Sequence, residues 1–141
     1  MDIIVLRHAE RTPGFSQDPG LTPHGRDQAL ALAEILTLPR WGRPQKLYSS
    51  PKQRTQQTLQ PLSEKLGIPV EILPDLDEKR PDESVSSFRE RIQNLIDVVT
   101  VPTQITPQRT AATASIVWCS HLDWIEEFRS LIDCEEDVLR T

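Results

Sequence analysis

DIIVLRHAE, residues 2–10, is the stretch on which the fold turns. Ile3 to Leu6 are apolar at every position, whereas a strand with one wet face would alternate. The run therefore reads as a strand covered on both faces, as in a parallel sheet. It leads directly into Arg7 and His8, neither of which is comfortable in a core. Adjacent strand residues point to opposite faces, so the two can serve one pocket only if the strand gives way to loop at that point. The reading is a strand end at Arg7 and His8 that forms the floor of a pocket.

Three further runs read as strands: Lys46 to Ser49, Val70 to Leu73 and Ser115 to Cys119. Helical patterns lie between them. In LTPHGRDQALALAEIL, Thr22 is placed as N-cap and Pro23 at the first helical position, and Ala29, Leu32, Ala33 and Leu36 recur at helical spacing. SSPKQRTQQTLQPLSEKL repeats that signature with Ser50 and Pro51. Its apolar stripe is Leu59, Leu62 and Leu66, and Pro61 is expected to kink or split the helix. ESVSSFRERIQNLIDVV places Val85, Phe88, Ile92, Leu95, Ile96 and Val99 on one face, and LDWIEEFRSLI reads as a fourth helix. The stretch from Val101 to Ala114 reads as one long connector. Alternating strands and helices predict a three-layer α/β/α sandwich around a mostly parallel sheet with right-handed crossovers, as a single domain over residues 1–141.

The totals exclude several classes. A chain of 141 residues with 37% hydrophobic and 26% charged residues has the composition of an ordinary globular domain. A formal net charge of -5 gives no overall attraction to nucleic acid or to an anionic membrane. Cys119 and Cys134 form no metal or disulfide pattern and read as free thiols. The apolar run at the N-terminus is too short for a signal peptide or a membrane span, so a cytoplasmic location is expected.

In open parallel sheets, ligands bind beyond the carboxyl ends of the strands. There the sequence supplies Arg7 and His8 after the first strand, Arg54 one helical turn after the second, and Ser120 and His121 after the last. Each alone fits a blander role: a solvated strand end, an exposed helix arginine, a packed histidine. Together they make a small cationic site suited to a dianion such as a phosphoryl group. Two histidines with carboxylates nearby also suit a transition metal, but flanking arginines repel a cation, and no metal is assigned.

In chain order LRHAE, LTPHGRDQA, SSPKQRTQQT, LDE followed by DES, and VWCSH resemble the histidine phosphatase (phosphoglycerate mutase-like) superfamily, over most of the chain. The short length, with no inserted cap subdomain, resembles most the small branch with phosphohistidine phosphatases of the SixA type. The resemblance implies a cofactor-independent phosphatase acting on a phosphomonoester or a protein phosphohistidine. It implies His8 as nucleophile, Arg7, Arg54 and a protonated His121 around the phosphoryl oxygens, and a carboxylic acid that protonates the leaving group. Glu78 best matches the acid, with Asp75, Asp77 and Glu83 as rivals; Glu83 and Ser84 also fit the start of the third helix.

The chain departs from the family pattern at several places. Ala9 stands where many members carry Gly, Leu122 where they carry Gly or Asn, and Arg11 and Gly14 where mutase-like members carry Thr and Asn. The final strand of longer relatives is expected to be missing. His24 reads as a surface residue. These departures keep open a catalytically impaired member that binds a phosphorylated ligand or a partner protein. A phosphoglycerate mutase is the weaker alternative, because the chain has no room for the insertions that close over a mutase substrate.

Overall fold

The computed structural model describes residues 2–100 and 114–132. Four strands, β1 (Asp2–Arg7), β2 (Arg43–Ser49), β3 (Val70–Ile72) and β4 (Ala114–Ser120), form an all-parallel sheet in the order β1-β4-β2-β3. Helices α1 (Pro23–Leu36), α2 (Gln53–Leu66), α3 (Val85–Thr100) and α4 (Leu122–Leu131) complete the α/β/α layering.

The apolar runs are continuous because both sheet faces are covered. On one face Leu32, Ala33 and Leu36 of α1 and Leu59 and Leu62 of α2 pack on Leu47, Val117 and Cys119, with Ile4 and Leu6 of β1 against them. On the other, Phe88, Ile92 and Leu95 of α3 and Trp124 of α4 pack with Leu76 and Trp118, and Ile3 and Val5 join them. Successive β1 residues thus enter opposite cores, as the period of two demands. The Trp124 ring stacks on Phe128 at 5.1 Å and meets Trp118 edge-on at 6.0 Å, the offset and T-shaped arrangements that ring quadrupoles favour.

Parallel register sets the site. Arg7 pairs with Ser120, and Ser49 with Cys119, so β1, β4 and β2 end at one edge of the sheet. His8, His121 and Ser50, each the next residue, are delivered side by side.

Several boundaries differ from the sequence reading. β2 begins at Arg43 rather than Lys46; a register shift between Pro44 and Lys46 interrupts its pattern. α2 begins at Gln53, with Lys52 as N-cap, and not at Pro51 behind a Ser50 cap. The cause is that Asp18 Oδ1 accepts the Gln53 N–H at 2.8 Å, while Ser50 is used elsewhere. Pro61 does not split α2, which is pinned by the fully buried Leu59 and Leu62 and ends on Gly67 at φ 68°. Val85 is exposed, outside the buried face of α3. Most of the expected connector, residues 101–113, lies outside the described residues, as does Cys134, whereas Ala114 opens β4. Among the described residues no helix is long and apolar enough to cross a membrane.

Candidate active site

His8 follows β1 directly, and its N–H completes the ladder on the Ser120 carbonyl at 3.1 Å. Its ring Nδ1 lies 2.7 Å from the Ala9 carbonyl. A carbonyl only accepts, so Nδ1 carries the proton and Nε2 keeps its lone pair. The loop after His8 is held by residues of the two helical motifs. Thr58 Oγ1 accepts from Ala9 N–H (2.9 Å), Gln28 Oε1 from Glu10 N–H (2.9 Å) and Gln57 Oε1 from Leu21 N–H (2.8 Å). Thr22 caps α1 by accepting the Gly25 N–H at 2.9 Å. A Cβ at Gly25 would lie 2.1 Å from the Glu10 carbonyl oxygen, so only glycine lets the helix start so close to the loop.

Arg54, in the first turn of α2, is buried. Its Nη2 donates to Glu78 Oε2 at 3.0 Å and to His121 Nδ1 at 3.3 Å. Guanidinium has no acceptor, so His121 Nδ1 is unprotonated and its Nε2–H donates to Ser50 Oγ at 2.8 Å. Thr55 Oγ1–H is directed at the Lys52 and Ser50 carbonyls, which leaves the Ser50 hydroxyl to donate to Thr55 Oγ1 at 2.8 Å. The two histidines are therefore opposite tautomers, with ring centroids 5.4 Å apart.

Burial lowers the pKa of His8, and the charges of Arg54, Arg7 and Arg11 lower it further, against the raising effect of the Ala9 hydrogen bond. For His121, burial and then Arg54, His8, Lys52 and Arg7 push it down to about 3. In the protein without a bound phosphoryl group the His121 ring is therefore neutral, first because it is buried and then because cations surround it.

The four carboxylate candidates separate. Glu78 is partly exposed, bonded to Arg54, and its Oε2 lies 3.9 Å from His121 Nδ1. Asp77 is buried beside it; its Oδ1 accepts the Glu78 N–H at 2.9 Å and lies 3.9 Å from Lys52 Nζ and 4.0 Å from His121 Nε2. Glu83 is bound by Arg91 through Nη2 at 2.8 Å and Nε at 3.0 Å, which holds its carboxyl below the usual range. Asp75 contributes its carbonyl, which accepts from Arg91 and from Trp124 Nε1 at 2.8 Å each.

Arg7 is exposed at the end of β1 and acts on both histidines through its charge. Of the departures, Ala9 spends its N–H on Thr58, Leu122 opens α4 with an exposed side chain, Arg11 is exposed, and Gly14 has φ 123°. His24 is exposed. Ser84 Oγ accepts the Ser87 N–H at 3.0 Å, the N-capping bond of α3. Among the described residues no group of three or more His, Cys, Asp or Glu side chains is arranged to hold a metal.

Sequence reasoning missed Lys52, Ser50 in its contact with His121, and Arg91. Lys52 had a signal, lying two residues before Arg54 in the same motif. Ser50 was hidden because Ser-Pro also marks a helix start. For Arg91 the only signal was its place two helical turns after Glu83.

The sequence profile described as the histidine phosphatase superfamily (branch 1) matches residues 3–81. None of the curated proteins matches the chain by sequence. Among solved structures, the fold is similar to a mycobacterial glucosyl-3-phosphoglycerate phosphatase, with TM-score 0.73 and 20% identity over 94% of this chain and 80% of that one. It is similar to the putative phosphohistidine phosphatase SixA from Agrobacterium tumefaciens, with TM-score 0.66 and 20% identity over 94% and 76%. It is also similar to a protein histidine phosphatase SixA complexed with tungstate, with TM-score 0.65 and 23% identity over 100% and 83%.

Proposed function

Because the chain belongs to the histidine phosphatase superfamily (branch 1), we propose that it is a phosphatase that removes a phosphoryl group from a phosphomonoester or a protein phosphohistidine, through a covalent phosphohistidine on His8. The observation that carries this reading is the tautomer of His8. Its Nδ1–H is committed to the Ala9 carbonyl, so Nε2 keeps its lone pair, on a ring that lies 5.4 Å from that of His121 and within the field of Arg54. A neutral imidazole attacks phosphorus without a separate base, and burial among cations keeps it neutral. The electrostatics also favour an anion. Arg54 is buried with Glu78 as its carboxylate partner, and among the described residues its Nε–H finds no acceptor. Oxyanions are present in complexes of similar folds: inorganic phosphate and VO3 with the mycobacterial phosphatase, tungstate with SixA.

As the phosphoryl anion binds beside it, Glu78 takes up a proton from solvent. In the first step His8 Nε2 forms a bond to phosphorus while the ester P–O bond breaks, and Glu78 gives that proton to the departing oxygen. Arg54 and Arg7 hold the equatorial oxygens, where charge develops. Burial and then the neighbouring cations keep His121 neutral, and a phosphoryl dianion offsets the charge of those cations. With the dianion bound, His121 Nδ1 takes up a proton from solvent, and Arg54 Nη2 turns from the ring to the phosphoryl oxygens. In the second step water attacks phosphorus, the N–P bond breaks, and Glu78 takes the water proton. The purified protein is expected to hydrolyse 4-nitrophenyl phosphate, to be inhibited by vanadate, and to lose turnover in His8→Ala. Phosphate binding without turnover would indicate a binding protein instead.

A further inference from the structure

We infer that Arg91 of α3 is a positioning residue that sets the placement of Glu78; this rests on Glu78 being the general acid. Glu78 lies between β3 and α3, in a segment whose only regular element is a short 3₁₀ turn at Pro74–Leu76. Such a segment has few backbone bonds of its own, so its carbonyls need outside donors. Arg91 supplies them. Nη1 donates to the carbonyls of Asp75 (2.8 Å) and Asp77 (2.9 Å), Nη2 to the carbonyl of Glu78 (3.3 Å) and to Glu83 Oε1 (2.8 Å), and Nε to Glu83 Oε2 (3.0 Å). Each of the five guanidinium N–H donors has an acceptor, and the side chain is only 10% exposed.

The loop is thus gathered onto one rigid, planar group. The guanidinium is itself located: its carbon lies 5.0 Å from the centre of the Phe88 ring, and Glu83 grips its Nε–Nη2 edge. Trp124 and Ser120 bind the same loop, through the carbonyls of Asp75 and Leu76, but Arg91 reaches the carbonyl of Glu78 itself. The Glu78 carboxyl stands 3.0 Å from Arg54 Nη2, so a small slide of this backbone displaces the proton donor relative to His8 and the bound ester. Lysine offers three donors from one point and cannot replace this fork.

The leaving group separates positioning from general loosening. A nitrophenolate departs without help, whereas an alkoxide needs a proton. In Arg91→Met, kcat/KM for glycerol 2-phosphate should fall by about 10-fold or more, while kcat/KM for 4-nitrophenyl phosphate falls much less. Glu78→Gln should show the same split, and the double variant should add little to either single one. Equal losses on both substrates in Arg91→Met, or no loss on either, would overturn the inference. If Arg91→Met splits the substrates no further than wild type while Glu78→Gln does, only the role of Arg91 falls. If Glu78→Gln shows no split, the acid assignment beneath it falls as well. Should Arg91→Met not fold, Glu83→Gln weakens the grip on the same guanidinium and is expected to give a smaller split in the same direction; an even loss there counts against the inference.

Discussion

Two histidines of the same intrinsic basicity are put to different uses by what each ring nitrogen touches. His8 gives its Nδ1 proton to a backbone carbonyl, whereas His121 receives a guanidinium at the same atom. The lowered pKa of His8 has a testable sign: a base that is harder to protonate stays active at lower pH. The acid limb of kcat/KM for 4-nitrophenyl phosphate should therefore lie below the ordinary imidazole value of about 6.5, and Arg11→Ala should move it upward. An acid limb at or above that value would contradict the arrangement of charges around His8. The gathering of Arg7, His8, Arg54 and His121 at one sheet edge was legible in the sequence because Arg7 closes a strand, His8 and His121 each follow one directly, and Arg54 lies within a strongly patterned motif. The neutral state of His121 was not, since it depends on burial and on Lys52 and Arg54 arriving from elsewhere in the chain.

At the scale of elements, the motifs hold loops in place as much as they carry chemistry. Gln28, Gln57 and Thr58 each accept a backbone N–H of the 9–21 loop, which carries the connection from His8 to α1. Gly25 is where helix and loop meet most closely. Alanine there gains about 1 kcal/mol of helix propensity, but its Cβ would sit 2.1 Å from a backbone oxygen that cannot rotate away. Gly25→Ala should lower stability by about 1–3 kcal/mol net, as overpacking does, and should lower turnover because the His8 loop must shift. Thermal melts and kcat/KM on one preparation check both; an unchanged melt would refute the close approach. Helices α1 and α3 were legible from their spacing. The start of α2 was not, because its cap comes from Asp18, thirty-five residues upstream of the Gln53 N–H it accepts.

For the whole molecule, the continuous apolar runs predicted a sheet covered on both faces, and the two cores on either side of β1 and β4 are the physical form of that pattern. Strand order was not legible, since β4 lies between β1 and β2 through pairings that no local signal encodes. The folded state also has a pH dependence. His121 binds its proton more weakly when folded, at about 3, than when unfolded, at about 6.5. The unfolded chain therefore gains the proton first, and stability falls as pH drops from 6.5 toward 3. The limiting slope is about 1.4 kcal/mol per pH unit for that one group. Glu83, with its pKa lowered mainly by Arg91, adds a loss in the same direction below the ordinary glutamate range. Urea melts at pH 7 and pH 5 should show the decline, and His121→Gln should flatten its upper part; equal midpoints in wild type would refute the burial of a neutral ring.

The central claim, a phosphoryl group carried on His8 Nε2, is tested most directly by trapping the protein with a ³²P-labelled phosphomonoester during turnover. The expected result is a labelled adduct that survives alkali, is lost in acid as a phosphoramidate is, and maps to His8. An adduct on another residue, or turnover with no adduct under rapid quenching in alkali, would contradict it.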